Sequence, residues 1–438
     1  LVYSAQSLHV AGSGYPYAYY ADPSKLHKGI TLLGNRVKHP IGAPSGDSYA
    51  FWLFWCQKVT CAHNDVDGCY GLFSAYGGDP GDANWLAGRQ YSKNIIVSDN
   101  NASNVQNAVI LLGVRNGMVG RNIVETNGQA SELFDSEGGR DITFTTNQVY
   151  GGQRVFVLHR TNNNVKYINN QATVDFYSPD QGSTPGVFEN NASLTDPDMA
   201  NSGKVIFSRN TIISAVNNQW LNVGACKEMS MDDNDLTNCT IYSMTGTNLL
   251  HILRNKLRFT QTPVFRPIIQ IGNFRVSPWD LPLCDSTPRA KIISNDIIRQ
   301  KSGSLNVGAL RIGKAVVPSV VEVKRNGLNV TDSGVGVYLE DGQGVPRDIS
   351  VHRNVMNRGT PFQAENIAST NDSLSWKDND SSTGQDVMGA VTGTEQEKLT
   401  VAAKPILVNG SRIWNQDVGG TGSHAGWVYN RNNQTWGT

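Results

Sequence analysis

The chain has 438 residues, and its 37 Lys and Arg balance its 37 Asp and Glu. Zero net charge without a basic patch argues against a nucleic-acid partner, and no apolar run approaches the roughly 18 residues of a membrane-spanning helix. Six cysteines are far too few for a disulfide scaffold, so free, mostly buried thiols are expected, while 44 glycines suit a fold with many turns.

Residues 1–93 carry no recognised repeat but many aromatics: Tyr15, Tyr17, Tyr19, Tyr20, Phe51, Trp52, Phe54, Trp55 and Trp85. The first residue is Leu and no signal peptide is visible, so the chain reads as a fragment or a processed product. Between Cys56 and Cys69 lie His63, Asp65 and Asp67, but the spacing matches no standard zinc pattern. A structural or solvated loop is the expectation there, and no metal or other cofactor is assigned anywhere.

From Asn94 to Ser381 one phrase recurs: apolar, any, apolar, any, any, Asn, any, apolar. Copies include Ile142-Phe144-Asn147-Val149, Val205-Phe207-Asn210-Ile212 and Val321-Val323-Asn326-Leu328. The asparagines are Asn100, Asn122, Asn147, Asn170, Asn210, Asn234, Asn255, Asn295, Asn326, Asn354 and Asn379, with successive spacings of 22, 25, 23, 40, 24, 21, 40, 31, 28 and 25. A period near 23 with long insertions is the mark of a solenoid. Apolar residues at i and i+2 share one face of a strand, whereas a helix would need i, i+3, i+4. The Asn falls where the chain turns, tolerates the left-handed region, and can hydrogen-bond to its copy in the next coil. Second apolar stretches, such as Val109–Leu112 and Val155–Leu158, supply further strands per coil. The fold class is therefore all-β, a right-handed parallel β-helix. A propeller is disfavoured because its blades need about 40 residues or more. A solenoid end exposes raw strand edges, so residues 1–93 read as an N-terminal cap with the first coils, and 94–385 as the β-helix.

Both spacings of 40 mark insertions, near 171–203 and 258–289. Such loops leave the side of a solenoid and line its binding face. Beside the first, Asp135 and Glu137 both point outward if Phe134 points inward. They are then about 6.6 Å apart along the strand, within the range that glycoside hydrolysis uses. The following coils bring His159 and Arg160, then Glu189. Asp135, Glu137, Glu189 and His159 are the catalytic candidates. Arg160, Tyr177, Asp175, Asp180 and Trp279 are the substrate-binding candidates. Strand parity at Asp135 stays open, because Leu133, Phe134 and Ser136 permit either. Asp232 to Asp235 read as a solvated turn, Glu340, Asp341 and Glu365 as exposed acids, and Trp220 as core.

Residues 386–438 break the pattern. Gly410-Ser-Arg-Ile-Trp-Asn415 and Gly426-Trp-Val-Tyr…Thr435-Trp-Gly read as hairpin-like strands, too short to bury three Trp alone, so self-association is expected. The Asn-turn coils followed by this tail resemble a bacteriophage tailspike with a pectate-lyase-like β-helix. The resemblance implies an elongated homotrimer held in part by the C-terminal β segment, with a missing N-terminal domain that joins the phage tail or baseplate. It implies a virion protein that binds and cleaves bacterial capsular polysaccharide or lipopolysaccharide O-antigen outside the cell, through Asp and Glu on the helix flank or between subunits. Endo-glycoside hydrolysis by paired carboxylates is the first expectation. A lyase acting on uronic-acid glycan, with His159 or Tyr177 as base and Arg160 neutralising the carboxylate, is the second. A non-catalytic receptor-binding spike is the third.

Overall fold

The computed structural model describes residues 9–10, 27–39, 49–77, 91–127, 132–152, 154–159, 162–174, 186–189, 203–215, 219–224, 226–243, 247–260, 267–272, 288–299, 308–313, 318–330, 335–340, 345–357, 360–364, 373–377, 379–381, 392–393, 412–415, 426–430 and 435–437. Among them there are strands and turns and no helix. The chain divides into two compact units, Leu1–Met229 and Ser230–Thr438.

In each unit the chain winds through three parallel sheets, adding one strand to each sheet per coil. The fold is a parallel β-helix. One coil of the first unit shows the plan: Ser92–Ser98 in sheet I, Asn101–Val105 in sheet II and Asn107–Leu112 in sheet III. Sheet I neighbours pair in register, as in Val97↔Val119 and Phe144↔Tyr167. This register stacks like residues down the interior: Ile95, Ile142, Val165 and Val205 in one file, Val97, Val119, Phe144, Tyr167 and Phe207 in the next, all fully buried. Phe144 and Tyr167 stack face to face with centroids 4.8 Å apart. Full burial of each such side chain stabilises by about 1.5–3 kcal/mol, which is why an apolar pair recurs along the solenoid, with Gly117 taking the first place in one coil.

The asparagines are laddered in each unit. In the first unit, Nδ2 of Asn35, Asn64, Asn100, Asn122, Asn147 and Asn170 each donates to Oδ1 of the next, as far as Asn210, at 2.8–3.0 Å. In the second unit, Asn234, Asn255, Asn295, Asn326 and Asn354 do the same, as far as Asn379. Each Oδ1 also takes the backbone N–H of the preceding ladder Asn, as Asn147 does from Asn122 at 3.1 Å. From Asn64 to Asn379 these asparagines are buried.

Two expectations are corrected. The left-handed residue is the one before the ladder Asn: Gly34, His63, Asp99, Arg121, Thr146, Asn169, Arg209, Asp233, Arg254, Ser294, Arg325 and Arg353 all have positive φ. The ladder Asn turns inward instead, and its amide satisfies backbone groups that the corner would otherwise strand. The repeat also begins earlier than Asn94. Residues 27–76 already supply strands to all three sheets, with Asn35 and Asn64 as rungs. Cys56–Ala62 and Asp65–Asp67 are strands of one coil. Cys56, Cys61, Cys69, Cys226 and Cys239 are buried free thiols. Tyr15, Tyr17, Tyr19, Tyr20 and Trp85 lie outside the described residues.

At the other end the solenoid strands run to Asp380–Ser381. The tail forms a separate small sheet in which Arg412–Asn415, Gly426–Asn430 and Thr435–Gly437 pair antiparallel, with Ile413 opposite Trp427 and Tyr429 opposite Trp436.

Candidate active site

Sheet III is the sheet flanked by the inserted residues. Residues 175–185 connect Gln171–Val174 of sheet II to Gly186–Glu189 of sheet III, and 190–203 lead on to Lys204–Ser208 of sheet I. Residues 260–268 and 272–288 bracket Ile269–Ile271 of sheet III in the same way. Asp175, Tyr177, Asp180, Arg160 and Trp279 fall outside the described residues.

Parity at Asp135 is resolved. Phe134 stacks on Phe156 and packs near Phe144 inside the coil. Ser136 Oγ meets Asn162 Oδ1, also buried, at 2.8 Å. Alternation therefore puts Asp135 and Glu137 on the opposite face. The two differ in access: Glu137 is half-buried, but Asp135 is 0 % exposed. Asp135 is thus not the solvent-facing carboxylate that its sequence position suggests. Burial raises the phenols of Tyr167 and Tyr49 above their ordinary range. Tyr167 instead donates its hydroxyl to the Val157 carbonyl at 2.5 Å.

Register supplies a different alignment. Glu137 pairs with His159, and His159 with Glu189, on three consecutive strands of sheet III. The file continues the other way through Leu112 and Tyr76 to Phe54. Glu137, His159 and Glu189 thus hold equivalent backbone positions one coil apart, and the same file reaches Tyr76 and Phe54 in the earlier coils. There Phe54, Trp55 and Tyr91 form a buried cluster, against which partly exposed Trp52 and Tyr76 pack. Trp52 and Tyr76 were not among the sequence candidates. Trp52 belongs to the aromatic run from Tyr49 to Trp55, which the sequence assigns to the cap and first coils, and Tyr76 lies beyond that run.

Sheet III of the second unit carries its own polar file: Tyr242, Gln270, Arg311 and Tyr338. Arg311 pairs with Glu340 and lies 5.7 Å from the Tyr338 ring. Glu340 is 9 % exposed, not the open acid expected from alternation. The buried guanidinium of Arg347 donates to the carbonyls of Gly313 and Glu340 and fixes this corner. The Asp232 to Asp235 turn is tied by ion pairs to Arg254 and Arg258. No group of three or more His, Cys, Asp or Glu among the described residues could hold a metal ion.

Comparison of the chain with protein-family models, with curated proteins and with solved structures finds no match.

Proposed function

We propose that the chain is the glycan-cleaving shaft of a bacteriophage tailspike, an endo-glycosidase acting on bacterial capsular polysaccharide or O-antigen. The observation that carries this reading is the line Glu137, His159, Glu189 on three successive strands of the sheet that the long insertions bracket. Neighbouring strands are about 4.8 Å apart, so the Glu137 and Glu189 backbones lie roughly 10 Å apart. Inverting glycosidases hold their two carboxyls about 6.5–9.5 Å apart, with room for a water.

In this scheme one glutamic acid protonates the glycosidic oxygen as the C–O bond breaks. The other, as carboxylate, takes a proton from the water that attacks the anomeric carbon on the opposite face. His159, between them, orients that pair. Asp135 is buried and makes no contact with sugar in this scheme. Trp52 and Tyr76 offer aromatic faces on which sugar rings stack. The antiparallel tail, with its Trp-rich strands, serves trimerisation.

The alternative is elimination on a uronic-acid sugar with His159 as base, which the same register also favours. Product analysis separates the readings. New reducing ends without ultraviolet absorbance mean hydrolysis; an unsaturated product means elimination; neither means binding alone. Glu137→Gln and Glu189→Gln should each lower turnover at least about a hundredfold, the usual scale of general acid–base catalysis. Full activity in both variants would remove the assignment.

A further inference from the structure

Several charges in the first unit are matched from coil to coil. Arg36 meets Asp65 at 3.6 Å, Lys38 meets Asp67 at 3.2 Å, Arg121 meets Asp99 at 2.7 Å and Lys204 meets Glu228 at 3.0 Å. One file of sheet I in the same unit differs. At the start of sheet I, Lys28 pairs in register with Gln57, Gln57 with Lys93, Lys93 with Arg115, and Arg115 with Arg140. Three of these strands in succession put like charges directly opposite each other, which destabilises a sheet. Lys58, beside Gln57, adds a fifth cation.

Within this file only Arg140 has a carboxylate partner among the described residues, Asp141 at 3.7 Å. Lys28, Lys58 and Lys93 make no ion pair among the described residues, and Arg115 lies on the Tyr91 ring at 3.6 Å. The carboxylates nearby are Asp141, 3.7 Å from Arg140, and Glu137 at the adjoining end of sheet III. The file also stands directly across a corner from the candidate site. Gly113 joins Leu112 to Val114, and Gly138 and Gly139 join Glu137 to Arg140. Gly113 and Gly138 have positive φ, and a Cβ on Gly139 would come within 2.3 Å of Ser136 Oγ. A bare glycine band therefore separates the cations from the line through Tyr76, Leu112 and Glu137.

We propose that this file is a binding track for a polyanionic polysaccharide, one bearing carboxylate or other fixed negative charge along its chain. The inference rests on the glycan-cleaving reading and adds the substrate's charge to it. Cations repeating at about 4.8 Å along the axis fit a flexible anionic polymer lying lengthwise. An occupant of that kind offsets the repulsion between Lys93, Arg115 and Arg140. A polysaccharide is favoured over a nucleic acid because the track is one residue wide on a chain of zero net charge.

The test is binding of fluorescently labelled hyaluronan, neutral dextran of equal length and single-stranded DNA to the full chain. It is run near 0.01 M ionic strength, where screening extends over about 30 Å, and again near 0.15 M. Hyaluronan should bind at low salt and weaken steeply at high salt, and dextran should not bind. The double variant Lys28→Gln/Lys93→Gln, which removes two exposed or half-exposed groups, should weaken hyaluronan binding at least about tenfold. Arg36→Gln, whose partner is Asp65, should change it less than about twofold. Equal binding of hyaluronan and dextran, an unaffected double variant, or DNA bound more tightly than hyaluronan would each overturn the proposal. Cleavage of a neutral glycan would overturn it while leaving the catalytic reading intact. Hyaluronan bound on this track, with no bacterial polysaccharide cut, would do the reverse.

Discussion

Replacing Asn100 with alanine removes four hydrogen bonds from the interior of one coil. Its Nδ2 donates to the Cys61 carbonyl at 3.1 Å and to Asn122 Oδ1 at 2.9 Å. Its Oδ1 accepts from the Asn64 backbone N–H at 3.0 Å and from Asn64 Nδ2 at 2.8 Å. Some partners keep a second bond: Asn64 Nδ2 still reaches the Leu32 carbonyl, and Asn122 Oδ1 still accepts the backbone N–H of residue 100. The Asn64 backbone N–H loses its acceptor in a buried corner. At about 1 kcal/mol net per bond, with a further penalty for that stranded donor, the expected loss is roughly 3–5 kcal/mol. The control is the next residue. Asn101 is exposed and makes one long contact, 3.5 Å to Asp65, so Asn101→Ala should cost no more than about 0.5 kcal/mol. Urea unfolding followed by tryptophan fluorescence and far-ultraviolet circular dichroism measures both. Equal losses, or a loss at Asn100 below about 1 kcal/mol, would refute the claim that the ladder holds the coils together.

Gly77→Ala should destabilise by more than about 2 kcal/mol, because its Cβ would meet the backbone oxygen of Gly113 at 2.2 Å and Ser92 N at 2.4 Å; a denaturation midpoint checks this. Burial pushes the Cys56 thiol up to about 12 and also raises Cys61 and Cys239. These thiols stay protonated at neutral pH, so maleimide labelling read by peptide mass spectrometry should find them unmodified until the chain unfolds. Arg121 holds the Asp99 carboxyl below its ordinary range. That contribution is present above the ordinary carboxylate pKa and is lost as pH falls through the lowered folded value. The pair is solvent-exposed, so the effect should be small, vanish in high salt, and be absent in Arg121→Ala across an acid titration.

Much of the architecture was legible because its rules are local. An aliphatic pair at i and i+2 declares a strand face, and the Asn three residues later declares the corner. Ile30-Leu32-Asn35-Val37 and Val59-Cys61-Asn64-Val66 obey the same phrase but escaped notice. Rungs 29 and 36 residues apart hide a period near 23, and a cysteine fills one apolar place. The bend residue was misplaced by one position, since Asn is both the commonest left-handed residue and a good inward amide, and only three-dimensional stacking separates the roles. Glu137, His159 and Glu189 followed from the period, because register carries equivalent positions onto one line. The burial of Asp135 did not, because alternation fixes which face a side chain takes and not what covers that face. The packing of Trp52 and Tyr76 against the Phe54, Trp55 and Tyr91 cluster was equally hidden, because residues 1–93 were assigned to a cap and first coils without a register.

The most direct test is a crystal structure of the Glu137→Gln variant with a bound oligosaccharide of a polysaccharide that the wild-type chain cuts. The sugar should lie on sheet III, spanning the coils of Glu137, His159 and Glu189, with its charged groups toward Lys93, Arg115 and Arg140. Sugar seated on the outer face of sheet II, away from both that line and the Lys93, Arg115 and Arg140 file, would contradict the account.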